Sequence, residues 1–125
     1  MKAYVFPGQG SQAEGMGKEL YESNTQANEL YEQANAILGW RLSDVMFGGS
    51  KEDLTQTNVT QPAVFLESIV RAKVAGSAFQ PSAVAGHSLG EITALCAVGA
   101  LSFEEALLLV DKRAAAMQKA CERCV

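Results

Sequence analysis

Gly86-His87-Ser88-Leu89-Gly90 fits the pattern G-x-S-x-G. That turn lifts a nucleophilic serine above the end of a parallel strand. A serine hydroxyl attacks well only when a base takes its proton, and histidine is the usual base. The sequence holds one histidine, His87, directly beside the serine. Neighbouring residues at a strand end point to opposite sides. With Ser88 raised into a site, His87 turns down into the packing, where it is expected to support the turn. Gly86 and Gly90 are expected to let strand and helix approach closely. In elbow enzymes the catalytic histidine comes later in the chain, and no histidine follows position 87. The general base is therefore not in these residues. The turn also opens a helix, whose free N–H groups and positive dipole end favour an anion. The N–H of Leu89 is the natural first donor to an oxyanion.

A second donor is sought in a loop after another strand. "FPGQGSQ", residues 6–12, is such a loop. Its glycines permit close approach of backbone to substrate, and the N–H of Gln9 is the candidate. Gly8-x-Gly10-x-x-Ala13 also fits a weak dinucleotide fingerprint. That reading requires a second strand ending in an acid soon afterwards, and a helical pattern follows instead. A plain tight turn is the alternative. No Gly-Lys-Ser/Thr is present, so there is no P-loop.

One cation stands out. On a helical wheel, Asp111, Lys112, Gln118, Lys119, Glu122 and Glu104 share one arc of residues 104–122, and Ala106, Val110, Ala114, Met117 and Cys121 share the opposite arc. Arg113 falls inside the apolar arc. A buried arginine needs an acid from the protein or an anion from a ligand, and its planar fork suits a carboxylate. A buried ion pair with an Asp or Glu remains the alternative. Cys121 and Cys124 form a single C-x-x-C with no second pair to complete a zinc site. They read as an exposed chain end, and no metal is expected.

The elements that must position these groups follow from periodicity and punctuation. Residues 2–6, "KAYVF", predict a short buried strand stopped by Pro-Gly. Ala27, Leu30, Tyr31, Ala34, Ile37 and Leu38 predict a helix over 24–38 that ends at Gly39. Trp40 to Asn58 reads as a looser stretch, with turn signals at Gly48-Gly49-Ser50. A long helix is expected with Thr60 as its cap and Pro62 in its first turn, fading near 79–81. "AVAG", residues 83–86, predicts the second strand. A helix from Ser88 to about Val98 follows, and Ser102 caps a last helix with Glu105 in the capping-box position. Two strands are too few for a closed parallel sheet, which helices cover on both faces. The expected fold class is an α/β domain that is cut short or completed by another chain.

The bulk numbers fit that scale. The sequence has 125 residues, 48% of them hydrophobic and 19% charged, with a net charge of −4. This is ordinary for one small globular domain or part of one, and nothing in the charge points to nucleic acid. The apolar run after Lys2 is too short for a leader, and no stretch is long enough for a membrane helix. Three cysteines, an odd count, fit a reducing cytoplasm.

"FPGQGSQ" at 6–12, "TQPA" at 60–63, "GHSLGE" at 86–91 and Arg113 with Met117-Gln118 together resemble the malonyl-CoA:acyl carrier protein transacylase family and the related acyltransferase domains of fatty acid and polyketide synthases. The resemblance covers about positions 1–120. It implies an α/β-hydrolase-like large subdomain, with parallel strands and flanking helices, into which a ferredoxin-like small subdomain is inserted. It implies Ser88 as the malonyl-carrying nucleophile and the backbones of Gln9 and Leu89 as the oxyanion hole. It also implies Arg113 as the clamp on the malonyl carboxylate and Gln61 as a pocket-lining residue. The family's histidine lies beyond Val125, so residues 1–125 are expected to be the first part of such an enzyme, without the small subdomain and inactive alone. Ala114 departs from the glycine that many relatives carry after the arginine. The implied activity belongs to fatty acid biosynthesis: malonyl passes from malonyl-CoA to the phosphopantetheine thiol of acyl carrier protein, with no cofactor. A serine esterase or thioesterase of the elbow class is the alternative, as is a non-catalytic interaction piece. A partial domain would leave strand edges and apolar faces bare and invite self-association.

Overall fold

A computed structural model describes the backbone at residues 3–6, 12–76, 83–86 and 89–123. Two strands, β1 (Ala3–Phe6) and β2 (Ala83–Gly86), and seven helices lie in these segments. The helices are α1 (Lys18–Ser23), α2 (Thr25–Leu38), α3 (Leu42–Gly48), α4 (Lys51–Thr55), α5 (Thr57–Ala75), α6 (Leu89–Ala97) and α7 (Phe103–Arg123).

The core is built around α5. Its residues Thr60, Gln61, Pro62, Ala63, Val64, Phe65 and Leu66 are buried in unbroken succession, and Ile69 and Val70 follow one turn on. Over this stretch the helix has no solvent face, because α2, α3, α4, α6 and α7 pack around it; its last turn is open, with Arg71, Lys73 and Ala75 exposed. The others are one-sided. Helix α2 buries Ala27, Tyr31, Ala34 and Asn35, the spacing of a single stripe. It starts where the Asn24 side chain accepts a hydrogen bond from the Ala27 N–H at 2.9 Å and stops at Gly39, whose φ of 79° is left-handed. Helix α7 buries Phe103, Ala106, Leu107, Val110 and Ala114. Each fully buried Leu or Val stabilises the packing by about 1.5–3 kcal/mol.

The α/β fold class expected from the sequence is corrected here. Among the described residues the architecture is mainly helical, and the β component is a ribbon of two four-residue strands. The strands are parallel, with Ala3 opposite Ala83 and Phe6 opposite Gly86, but such a ribbon does not make the central sheet of an α/β-hydrolase-like domain. The physical reason lies in what the helices bury. Their apolar stripes close on α5 rather than on a sheet surface, and Val5 of β1 is 75% exposed.

Local expectations fare unevenly. Strand 83–86, helix 24–38, the helix after the elbow and the Ser102 cap hold. Ser102 and Glu105 exchange bonds of 3.2 and 3.1 Å, which is the capping box. Two short helices, α3 and α4, lie within the stretch expected to be looser, Trp40 to Asn58, and a third, α1, lies where no element is assigned from the sequence. Helix α4 is held by a second box, between Ser50 and Asp53. The start of α5 also differs. It begins at Thr57, so Thr60 is no cap; its hydroxyl donates to the carbonyls of Leu54 and Gln56. Pro62 stands in the second turn. No described helix is long and apolar enough to cross a membrane.

Candidate active site

The elbow is framed by its two flanks. Gly86 ends β2 and Leu89 begins α6, so only positions 87 and 88 separate strand from helix. Such an abrupt reversal brings the two backbones together. A Cβ at Gly86 would overlap the carbonyl of Gly90 and crowd the N–H of Glu91. Both obstacles are backbone, so no side chain can yield. Glycine at 86 is thus required by close approach, as the sequence pattern predicts. Leu89 and Gly90 are buried in the first turn of α6. His87 and Ser88 themselves lie outside the described residues, as do Gln9 and Cys124.

The second predicted donor is approached from the neighbouring strand. Phe6, the last residue of β1, pairs with Gly86. The two strand ends that precede Gln9 and Ser88 in the sequence are therefore adjacent, and their strands run in the same direction. Sites in parallel-strand proteins form outside the carboxyl ends of strands.

Arg113 lies on α7 between the fully buried Val110 and Ala114. The side chain as a whole is half-buried, while its Nη1 is completely covered. The wheel placed it on the inner side, and there it is. Met117, expected on the same buried arc, is instead 37% exposed. Its sulfur has a polar role: Gln61 Nε2 donates to Met117 Sδ at 2.8 Å. Gln61 is 1% exposed, and its Oε1 has no hydrogen-bond partner among the described residues. Met117 is one helical turn beyond Arg113, so Gln61 and Arg113 are brought to neighbouring turns of the α5–α7 contact.

Sequence reasoning missed Gln118. The wheel sets it on the polar arc, yet its Oε1 accepts from the Thr57 N–H at 3.0 Å. No signal in the sequence links these two positions, because the contact spans two helices. Cys96 on α6 is buried, and desolvation pushes its thiol pKa up, which makes it unreactive. No group of three or more potential metal ligands occurs among the described residues.

The acyl transferase domain family matches residues 3–123. The chain belongs to this family, which includes the malonyl-CoA:acyl carrier protein transacylases. The malonyl CoA-acyl carrier protein transacylase of Bacillus subtilis (strain 168) is 49% identical to this chain over 119 residues, covering 94% of the chain and 38% of the relative. The crystal structure of the malonyl-CoA:ACP transacylase of Synechocystis sp. PCC 6803 superposes with a TM-score of 0.90 at 45% identity, covering 96% of this chain and 41% of that structure. A malonyl-transacylase in complex with its type II PKS acyl-carrier protein matches with a TM-score of 0.87 at 38% identity, over 94% of the chain and 39% of that protein. The chain thus spans about 40% of the length of these transacylases.

Proposed function

We propose that these residues form the nucleophile-bearing part of a transacylase that moves malonyl from coenzyme A to the phosphopantetheine thiol of acyl carrier protein. The observation that carries the reading is the strand–turn–helix at 86–90, where only glycine fits at 86. The pairing of Phe6 with Gly86 supports it, because the strand residues that lead toward Gln9 and toward Ser88 are neighbours.

In this mechanism Ser88 attacks the thioester carbonyl of malonyl-CoA. The backbone N–H groups of Leu89 and Gln9 receive the developing oxyanion. The base that takes the Ser88 proton comes from outside the 125 residues, since their one histidine, His87, is the serine's own chain neighbour and neighbouring residues at a strand end are directed to opposite sides. Coenzyme A leaves as the thiol, and a malonyl ester remains on Ser88. The carrier-protein thiol then attacks that ester and regenerates the serine. Arg113 pairs with the malonyl carboxylate through its planar fork. An acetyl group supplies no such partner, so the guanidinium disfavours it. Gln61 lines the acyl pocket, a role that fits its buried and unpartnered Oε1.

The test is intact mass after incubation with malonyl-CoA, on these residues and on a full-length acyltransferase carrying them. The expected result is a malonyl adduct on the full-length protein that Ser88→Ala abolishes. Arg113→Ala should then lower malonyl transfer far more than acetyl transfer. A malonyl adduct that survives Ser88→Ala overturns the assignment of the nucleophile, and equal losses for the two acyl groups overturn the clamp.

A further inference from the structure

Helix α5 begins without a cap of its own. Gln56 stands at its N-cap position and makes no side-chain bond to the free N–H groups of the first turn. Those groups need partners, and the Thr57 N–H finds one 61 residues away, in the Oε1 of Gln118 at 3.0 Å. The other end of the same amide, Nε2, reaches Gln56 Oε1 at 3.5 Å. The adjoining residue of α7, Met117, accepts from Gln61 Nε2 at 2.8 Å. Two successive residues of α7 are therefore tied to two points one turn apart on α5.

A two-point attachment fixes both the rotation of α7 about its axis and its slide along α5. Arg113 stands one turn before Met117, on the same helix and close to these ties. Side-chain tips lie about 5–6 Å from a helix axis, so a rotation of roughly 10° carries the Arg113 head by about 1 Å. Misplacement on that scale is worth up to about 10²-fold in a positioned reaction.

We propose that Gln118 is a positioning residue: by capping α5 from the neighbouring helix, it sets the aim of Arg113 toward the acyl carboxylate. The inference rests on the clamp reading of Arg113 given above. A glutamate at 118 still offers an oxygen to the Thr57 N–H, at the end of α5 where a negative charge is favoured. A methionine keeps the bulk and replaces the amide oxygen with a thioether sulfur, a much weaker acceptor.

The experiment compares Gln118→Ala, Gln118→Met, Gln118→Glu and Arg113→Ala in a full-length acyltransferase carrying these residues. Two readouts are taken: kcat and KM for malonyl-CoA and acetyl-CoA, and the NMR signal of the Arg113 Nε–H. Gln118→Ala and Gln118→Met are expected to lower the malonyl-to-acetyl preference about tenfold, mainly through KM for malonyl-CoA. They should also move the Arg113 signal, and Gln118→Glu should restore both. Equal losses for the two substrates, an unmoved Arg113 signal, or a Glu variant as impaired as the Ala variant would each overturn the positioning role. If Arg113→Ala leaves the preference intact, the clamp reading falls. The Arg113 signal then decides the positioning role alone: displaced in the Ala and Met variants and restored in the Glu variant, it upholds the role, and unmoved it refutes it.

Discussion

Gly86→Ala should damage stability and acylation together, and the two losses can be separated. The added Cβ meets the carbonyl of Gly90 and the N–H of Glu91. Neither can rotate away, so the first turn of α6 must back off from the end of β2. Overpacking of this kind costs about 1–3 kcal/mol, and the upper end is expected because the obstacle is backbone. The same retreat carries the Ser88–Leu89 segment with it. A shift of about 1 Å predicts acylation slowed on the order of 10²-fold. Gly39→Ala is the control. Gly39 has a φ of 79° and open space around its Cβ position, so alanine there strains the backbone without touching the elbow. Urea denaturation measures the stability of both variants, and quenched intact-mass kinetics with malonyl-CoA, in a full-length acyltransferase carrying these residues, measures acylation. Both should unfold at lower urea than the parent, and only Gly86→Ala should acylate slowly. A Gly86→Ala protein that acylates at the parental rate would refute the argument that close approach at 86 sets the elbow.

Three further outcomes follow from polar groups in and around the core. Asn35 Nδ2 donates to Ser43 Oγ at 2.8 Å while its Oδ1 accepts from the Ser43 N–H at 3.2 Å, both buried. Ser43→Ala orphans the donor and should cost about 1–3 kcal/mol in denaturant titrations; a neutral result would mean that water replaces the hydroxyl. The Tyr31 hydroxyl is fully buried with no partner among the described residues. Tyr31→Phe should therefore leave the urea midpoint unchanged or raise it, and a loss above about 1 kcal/mol would reveal a missed partner. Hydrogen bonds from Arg41 and then Tyr21 hold the Glu32 carboxyl below its ordinary value of 4.5. A depressed carboxylate contributes stability above its unfolded-state value and loses it as pH falls through the folded value. The urea midpoint should thus decline below about pH 4.5. Arg41→Ala should flatten that decline, and high salt should shrink the difference because the groups are exposed.

The sequence was most legible where a local rule sufficed. Asn24 and Gly39 bracket α2, Ser102 and Glu105 start α7, and the turn after Gly86 announces itself by spacing alone. Arg113 was found by its wrong polarity on an otherwise apolar arc. Short elements were missed because six, seven and five residues carry too little periodicity to be seen, as in α1, α3 and α4. The start of α5 was misread because Thr60 and Pro62 imitate a cap and a first turn, while the true first N–H is served from α7. The fold class was misjudged for a related reason. Two β-rich stretches name strands, but they do not say whether the helices close on a sheet or on one another.

The pairing of Ala3 with Ala83 carries a kinetic meaning. Everything between the two strands, α1 to α5, is joined by contacts nearer in sequence. Closing so long a loop adds only about 0.6 kcal/mol per doubling of length, yet the closure comes late, since local contacts form first and distant ones wait for them. The helices can therefore assemble while the two strand ends that lead toward positions 9 and 88 are still apart. In pulse-labelling exchange during refolding, the amides of α2 and α5 should gain protection before those of β1 and β2. On that order of events the helical body forms first and the seam between the strands closes last.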